Sequence, residues 1–561
     1  MKGSFFDGFA LWRKSRSHAT LMEHLRVRIT ITCISGVLIF SGVSYRLASV
    51  MIIDDHGTSN TSIQSNEIIR KADIIDRTGT LLATSITTGS CYADPSVIIN
   101  ICDAAKKLSN IPELPTFEVI KQKLRDKNKH FVWIIRHVPP QIQEKIMDLG
   151  IPGIALQKDY KRIYVHGNLF SHVIGCSDID GNGVSGLEKK FNKELNNQAN
   201  VQKKLAISLD IRLQSIIHEE LQGCIQEFGA IGGNAILMRT DGEILALVSL
   251  PDFDPNDLAK TMTINMFNRN TLGVFEPGST FKILNVAIAL DSGAARVDST
   301  FDATTPIRLG RHSIKDFRGK NRKLSLVEAF VYSSNIAAVK IAQSFGVRTQ
   351  VSYMKRMGIF DKTEVELPEV GTPIIPKRWS EATSMTVAYG YGVSVSPLQL
   401  LTVISSIVND GRRISPTVLL GNGHVADQRV VSSRTSEIVR DLMRAVICHG
   451  TGKKAGVEGV DIIGKTGTSY KISGRGYGTD ANRARITTFV GGFPKDKPKY
   501  MLLLMLDNPR PREGTYGFAT AGWNVAPLAS KIFKRIIPLL NDGLKPPPNQ
   551  NLQVTKFLKL N

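Results

Sequence analysis

Cysteine is scarce. The chain of 561 residues has six, at 33, 91, 102, 176, 224 and 448, and no two form a CxxC pair. That excludes a thiolate zinc ribbon and a CxxC redox motif. Cys91 and Cys102 are close enough in sequence to bridge, which sequence alone does not decide. Internal repeats are absent. So are zinc-finger spacing, arginine-rich tracts and aromatic–basic repeats, which leaves nucleic acid without a recognisable reader. Acidic residues are in deficit: 50 Asp and Glu against 71 Lys and Arg give a formal charge of +21. Such a balance suits an anionic neighbour such as lipid head groups or an acidic polymer, and equally reflects solubility. Long apolar runs are also rare, and only one is long enough to consider for a membrane.

That run starts at Ile29 and stays uncharged to Tyr45; Arg46 interrupts it, and Leu47 to Ile53 continues apolar. The length suits one bilayer crossing, with Arg46 snorkelling at the far interface. Before it stand Lys2, Arg13, Lys14, Arg16, Arg26 and Arg28 against Asp7 and Glu23, so the positive-inside rule puts residues 1–28 in the cytoplasm and the rest outside. The run is longer than a usual signal-peptide core and lacks a clean small-x-small site, so an uncleaved anchor over 29–53 is expected.

The remainder is too long for one domain. Residues 54–65 form a polar tether. Ala72 to Ala83 reads as strand, turn, strand around Asp76 to Gly79. Residues 95–150 are helical and charged, with a strand at 131–135, and Asp178 to Glu188 is a Gly-rich loop lacking the acid spacing of an EF-hand. The texture changes near residue 200. A strand at Leu205–Leu209, a helix at Asp210–Phe228, and strands at Asn234–Met238 and Glu243–Ser249 follow. Helices are expected at about 326–357, 381–410 and 526–540, and strands near 460–470, 486–493 and 499–506. Strands at both ends with helices between predict an α+β sandwich around one sheet. Residues 541–561 are a basic tail, expected to be disordered.

One stretch concentrates the chemistry: Glu276-Pro277-Gly278-Ser279-Thr280-Phe281-Lys282, followed by an apolar run to Leu290. Ser279 falls at a helix start, with Lys282 one turn on. A serine there is usually only an N-cap, and a lysine usually snorkels. This helix, however, is apolar nearly all round and therefore buried. A buried amine has a lowered pKa and can act as a base.

Two further motifs follow, Tyr332-Ser333-Ser334-Asn335 and Gly464-Lys465-Thr466-Gly467-Thr468, the latter placed on or just after an apolar strand at Val460–Ile463. Gly459 to Thr466 also fits the phosphate-loop pattern letter for letter. That pattern needs a helix after its Lys-Thr, and none is expected here.

S-x-x-K, S-x-N and K-T-G in this order mark serine acyl-transferring penicillin-recognising enzymes. The chain resembles the class B penicillin-binding proteins, the peptidoglycan D,D-transpeptidases, over nearly its whole length. The resemblance is carried by Phe267-Asn268-Arg269 through Lys282, by Val331 to Asn335, by Gly390 to Leu400 and by Gly464 to Thr468. In the N-terminal part, Asp73 to Ala83, Arg162-Ile163-Tyr164 and Gly183 to Glu188 resemble the family's non-catalytic pedestal. Ser333-Ser334-Asn335 resembles the division branch, the FtsI type. Val165 replaces the usual proline, and Asn192 to Lys204 is shorter than usual and lacks its glycines.

The resemblance implies a pedestal over 54–200 and, over 201–540, a penicillin-binding domain with helices around a mainly antiparallel sheet. It implies that Ser279 is the nucleophile and Lys282 the base, that Ser333 relays a proton, that Asn335 positions Lys282 and substrate, and that Lys465 supplies a second positive charge. Thr466 and Thr468 would bind the terminal carboxylate, and the backbone N–H groups of Ser279 and Thr468 would form the oxyanion hole. Gly467 would keep the strand edge clear for substrate. No metal or organic cofactor is implied. The implied partners are D-Ala-D-Ala stem peptides, β-lactams as inhibitors, a membrane glycosyltransferase and other division proteins, at the inner membrane with the bulk in the periplasm. The alternatives are a carboxypeptidase, a β-lactam hydrolase or sensor, and a non-catalytic division scaffold. The anchor and the large N-terminal part weigh against a soluble β-lactam hydrolase, the short cytoplasmic segment against a sensor, and the intact Ser279, Lys282 and Lys465 set against a scaffold; the three motifs leave a carboxypeptidase open.

Overall fold

The structure is a computed structural model; the described residues are 26, 28–45, 70–200, 202–310, 312–471, 484–540, 554, 557 and 558. They divide between two compact units, Met1–Glu67 and Ile68–Asn561. In the first, the helix Arg28–Tyr45 has a mean hydropathy of 1.4 and is long and apolar enough to cross a membrane. Its Thr30 and Thr32 hydroxyls donate to the carbonyls of Arg26 and Arg28, one turn back, at 2.8 and 2.7 Å. These two hydroxyls thus satisfy their donors within the helix, as an apolar solvent requires. The expected continuation of the span to residue 53, the tether and most of the N-terminal tail lie outside the described residues.

The second unit begins with a five-stranded sheet: β1 (Ile74–Ile75), β2 (Leu81–Ala93), β3 (Val132–Val138), β4 (Ile154–Tyr164) and β5 (Leu205–Ala206). The order is β3-β2-β1-β5, with β4 also on β2. Asp76 closes the first turn by accepting from the N–H groups of Thr78 and Thr80, both at 2.8 Å. β5 pairs parallel to β1. The strand expected to begin the second domain after residue 200 thus completes the first sheet. Three helices, Ile101–Ser109, Phe117–Leu124 and Pro140–Asp148, cover one sheet face through Leu108, Ile120, Leu124, Ile142 and Ile146. Cys91 is buried and Cys102 exposed, and both are free thiols.

The larger sheet is wholly antiparallel. It is built from β6 (Gly232–Arg239) and β7 (Ile244–Leu250) and, after the four short strands β8 (Thr300–Asp302), β9 (Ile307–Leu309), β10 (His312–Ile314) and β11 (Lys323–Ser325) and the hairpin β12 (Arg412–Ser415) with β13 (His424–Arg429), from β14 (Ile463–Tyr470), β15 (Arg485–Phe493) and β16 (Tyr500–Asp507). Its order is β14-β15-β16-β6-β7, so β14 is an edge. Helices Ile211–Phe228 and Val525–Ile536 pack on one face through Leu221, Phe228, Ile532 and Phe533. The other face meets Lys282–Asp291, Pro397–Val408 and Ser433–His449. A sheet apolar on both faces must be covered on both, and the run of buried residues along β16, Tyr500 to Asp507, shows that it is.

Four features depart from the sequence reading. The helix expected over 381–410 is two, Glu381–Val387 and Pro397–Val408, because the 388–396 segment turns away to brace residues 275–278. The helix expected over 326–357 is two, Leu326–Val331 and Asn335–Arg356, and the second is interrupted at Gly346. A capping box of Ser325 and Glu328 starts the first, and Ser334 caps the second by accepting from Ala337 N–H. The Ser433–His449 helix was not expected at all; its apolar stripe is Val439, Leu442, Met443 and Val446. In the tail expected to be disordered, Val554 and Leu558 are buried against the main core, and Ser325 Oγ donates to the Phe557 carbonyl at 2.9 Å.

Candidate active site

The Ser279 turn is a short 3-10 stretch, Gly278–Phe281, running into the helix Lys282–Asp291. It is braced from outside. Gly278 N–H donates to Gly390 O at 3.0 Å, Phe275 N–H to Val395 O at 2.9 Å, and Gly392 N–H to Glu276 Oε1 at 2.8 Å. Gly390 has φ +92°, and a Cβ there would lie 1.9 Å from Gly278 O, so this position must be glycine. The segment 390–395, singled out from sequence, is therefore the back wall of the nucleophile turn.

Lys282 is 2 % exposed and Lys465 0 %. Their amines converge on one residue. Lys282 Nζ donates to Ser333 O at 2.5 Å, Ser333 Oγ at 3.2 Å and Asn335 Oδ1 at 2.7 Å. Lys465 Nζ donates to Ser333 Oγ at 2.9 Å and Thr466 O at 2.9 Å. Ser333 reaches both because its backbone is left-handed, φ +59°, between the two helices. Burial drives the Lys282 amine well below its ordinary value; the Lys465 charge lowers it further, and Asp316 opposes. Burial brings Lys465 down to about 7. A neutral Lys282 can give its two N–H groups to Ser333 O and Asn335 Oδ1, which frees the lone pair for a proton.

The structure thus gathers Lys282, Ser333, Asn335 and Lys465, with half-buried Ser279 one turn before Lys282. All of Lys465 to Thr468 lies within β14, inside the strand rather than after an apolar strand at Val460–Ile463. β14 runs on to Tyr470 with no helix after Lys465-Thr466, so the phosphate-loop pattern has no matching geometry.

At Gly467 the structure supplies a steric reason for a glycine. A Cβ there would sit 2.9 Å from Thr280 Cγ2 and 3.1 Å from Pro277 O. Its bareness lets β14 pack on the nucleophile turn. Thr466 is buried with its hydroxyl 2.5 Å from Thr451 Oγ1, while Thr468 Oγ1 accepts from Ala521 N–H at 3.3 Å. Of the two expected carboxylate-binding threonines, Thr468 alone keeps appreciable exposed surface.

Sequence reasoning missed Thr451, Glu276 as the brace of Gly392, and Asp316. Asp316 lies in a polar stretch between two short strands, where nothing in the local pattern marks it. In the first sheet the structure joins segments that sequence left separate. Glu188 accepts from Lys71 Nζ and Arg162 Nε, each at 2.7 Å. Burial alone would raise the Glu188 carboxyl; Arg162 and Lys71 override it and hold it below its ordinary value.

A buried Ser-x-x-Lys turn, a Ser-x-Asn turn and a Lys-Thr-Gly edge strand meeting at one hydroxyl define a serine acyl-transferase site of the penicillin-recognising class. The family model for the penicillin-binding protein transpeptidase domain matches residues 233–534, and that for the penicillin-binding protein dimerisation domain matches 70–209. The chain belongs to the penicillin-binding protein transpeptidase family, and within it to the class B, FtsI type. It is 31 % identical over 548 residues to a probable peptidoglycan D,D-transpeptidase FtsI of Caulobacter vibrioides, covering 94 % of this chain and 91 % of the relative. It is 29 % identical to the peptidoglycan D,D-transpeptidase FtsI of Escherichia coli K12, covering 83 % of each. Penicillin binding protein 3 of Mycobacterium tuberculosis, solved with aztreonam, shares the fold with a TM-score of 0.66 at 24 % identity, over 85 % of this chain and 98 % of that one.

Proposed function

We propose that this chain cross-links peptidoglycan stem peptides of the dividing cell wall through an acyl-enzyme on Ser279. The observation that carries the reading is the shared Ser333 hydroxyl between two buried lysines, one of them a turn from Ser279. Neutral Lys282 takes the Ser279 proton as Oγ attacks the penultimate D-alanine carbonyl. The oxyanion is received by the Ser279 and Thr468 N–H groups. As the C–N bond breaks, the proton passes through Ser333 to the departing D-alanine amine, and Asn335 holds Lys282 and the substrate amide. The donor lies along the free edge of β14 as an added strand, its carboxylate facing Thr468 with Lys465 nearby; Thr466 supports this through Thr451. An amine of a second stem then attacks the ester, with proton transfers reversed, and frees Ser279. A β-lactam enters as a substrate mimic and leaves its opened ring on Ser279.

The Arg28–Tyr45 helix and the cations before it support an inner-membrane anchor over 29–53, N-terminus in the cytoplasm and bulk in the periplasm. In addition to the anchor, residues 54–200 serve as pedestal and 201–540 as transpeptidase domain, the latter lending its first strand, Leu205–Ala206, to the pedestal sheet. A membrane glycosyltransferase and other division proteins are the partners such a chain would engage.

The test is a product analysis. The full chain in detergent is given nascent pentapeptide strands, and the muropeptides are separated by mass. Cross-linked dimers with released D-alanine are expected; trimmed monomers alone would make it a carboxypeptidase, and unchanged strands a scaffold.

A further inference from the structure

The turn that holds Ser333 and Asn335 is gripped from outside by one carboxylate. Asp316, just after β10, accepts Ser334 Oγ–H on Oδ2 at 2.6 Å. Its Oδ1 accepts the N–H of Asn335 at 2.5 Å and of Ile336 at 3.0 Å. An ordinary N-cap needs one side chain, and Ser334 already supplies it by accepting from Ala337 N–H at 3.0 Å. Asp316 is therefore a second capping group on the same helix start, and an anionic one, which the helix dipole favours. The adjacent Lys315 carbonyl accepts Asn335 Nδ2 at 3.0 Å. That contact fixes the sense of the amide: nitrogen toward Lys315, oxygen toward Lys282. Two successive residues of one loop thus set the position and the orientation of the group that holds Lys282.

Asp316 is also the carboxylate that acts on Lys282, against the charge of Lys465 from β14. No other charged group contributes appreciably to that amine among the described residues.

We propose that Asp316 is a positioning residue for acyl transfer: it locks the Ser333–Asn335 turn onto Lys282 and serves as counter-charge to Lys282. This rests on Lys282 being the base for Ser279. Substrate does not have to touch Asp316 for it to act. Without it, Ser334 still caps its helix, but the turn loses three hydrogen bonds, and Asn335 loses the backbone N–H contact that seats it. Its charge also sets where Lys282 gives up its proton, since a nearby anion favours the ammonium.

The experiment follows covalent labelling of the full chain in detergent by a fluorescent penicillin, resolved into binding and acylation steps, across pH 5.5–9.5. Asp316→Ala, Asp316→Asn and Ser279→Ala are compared with the unmodified chain, with a thermal melt for each. Asp316→Ala is expected to slow the acylation step by about a hundredfold with little change in initial binding, the scale of a misplaced catalytic group. Asp316→Asn is isosteric and keeps most of the hydrogen bonds, so its plateau falls by about tenfold or less, and its acid limb moves to lower pH because Lys282 deprotonates more readily. A structural role alone would lower the melting temperature and leave the limb in place. An unmoved limb in Asp316→Asn overturns the counter-charge, and an acylation rate within about twofold of normal in folded Asp316→Ala overturns the positioning role. If Asp316→Ala does not fold, the Asp316→Asn limb decides. Labelling that survives Ser279→Ala would instead overturn the Ser279 assignment, a separate failure.

Discussion

Lys282 and Lys465 meet at a single acceptor, the Ser333 hydroxyl, 3.2 Å from one amine and 2.9 Å from the other. Two ammonium groups buried this close repel each other, and burial together with the Lys465 charge drives the amine of Lys282 toward its neutral form, with Asp316 opposing. Removing that amine while keeping the side chain's volume, as in Lys282→Met, should slow acylation by at least about 10³-fold with initial β-lactam binding nearly unchanged. Rapid-quench labelling separates the two; loss confined to binding would contradict the base assignment.

Lys465 lies within β14, buried, with no carboxylate partner among the described residues. Its folded pKa, about 7, is below its ordinary 10.5, so the unfolded chain binds more protons between those values. Its burial therefore costs stability most below pH 7, and the cost fades as pH rises toward 10.5. Lys465→Met should be inactive yet more stable at pH 6, by about 1–3 kcal/mol after the lost hydrogen bonds, with the gain shrinking at pH 9. Melts at the two pH values check the sign; a gain that grows with pH would contradict it.

The Gly467 contact with the nucleophile turn gives a steric prediction. Gly467→Ala pushes a methyl to 2.9 Å from Thr280 Cγ2, so β14 and the Ser279 turn must part. Acylation should fall by roughly ten- to a hundredfold, the scale of sub-ångström to 1 Å misplacement. The melting temperature should fall only slightly. A variant of normal rate would mean the turn yields freely.

In the first sheet, Glu188→Gln leaves Lys71 and Arg162 buried without their counter-charge. The expected loss is about 3–5 kcal/mol, read from denaturant unfolding. The sign with pH is also fixed. The Glu188 carboxyl is held below its ordinary 4.5, so its contribution is full above that value and is lost as pH falls through the lower, folded one. The unmodified chain should lose this stability in acid, and the variant should show a flatter acid limb.

Much of this was legible in the sequence. The three motifs are local, and each keeps its chemistry wherever the chain places it. The amphipathic helix at 211–228 and the paired strands at 232–250 announce themselves by period and by their turn. What stayed hidden was set by tertiary contact. The break between Val331 and Asn335 arises because Ser333 must turn left-handed to face both lysines, and no local pattern requires that. Leu205–Ala206 carries nothing to say that it pairs with β1. The role of Gly467 depends on Thr280, far away in the chain. The ion cluster of Lys71, Arg162 and Glu188 joins three distant segments, each polar enough alone to read as surface.

The central claim is that Ser279 carries the acyl group. The most direct measurement incubates the full chain, and its Ser279→Ala variant, with fluorescent penicillin, follows the adduct for hours and maps it by peptide mass. The account predicts an adduct on the peptide containing Ser279, stable for hours and absent from the variant. An adduct on another residue, one that turns over within seconds, or none in a folded chain would contradict it.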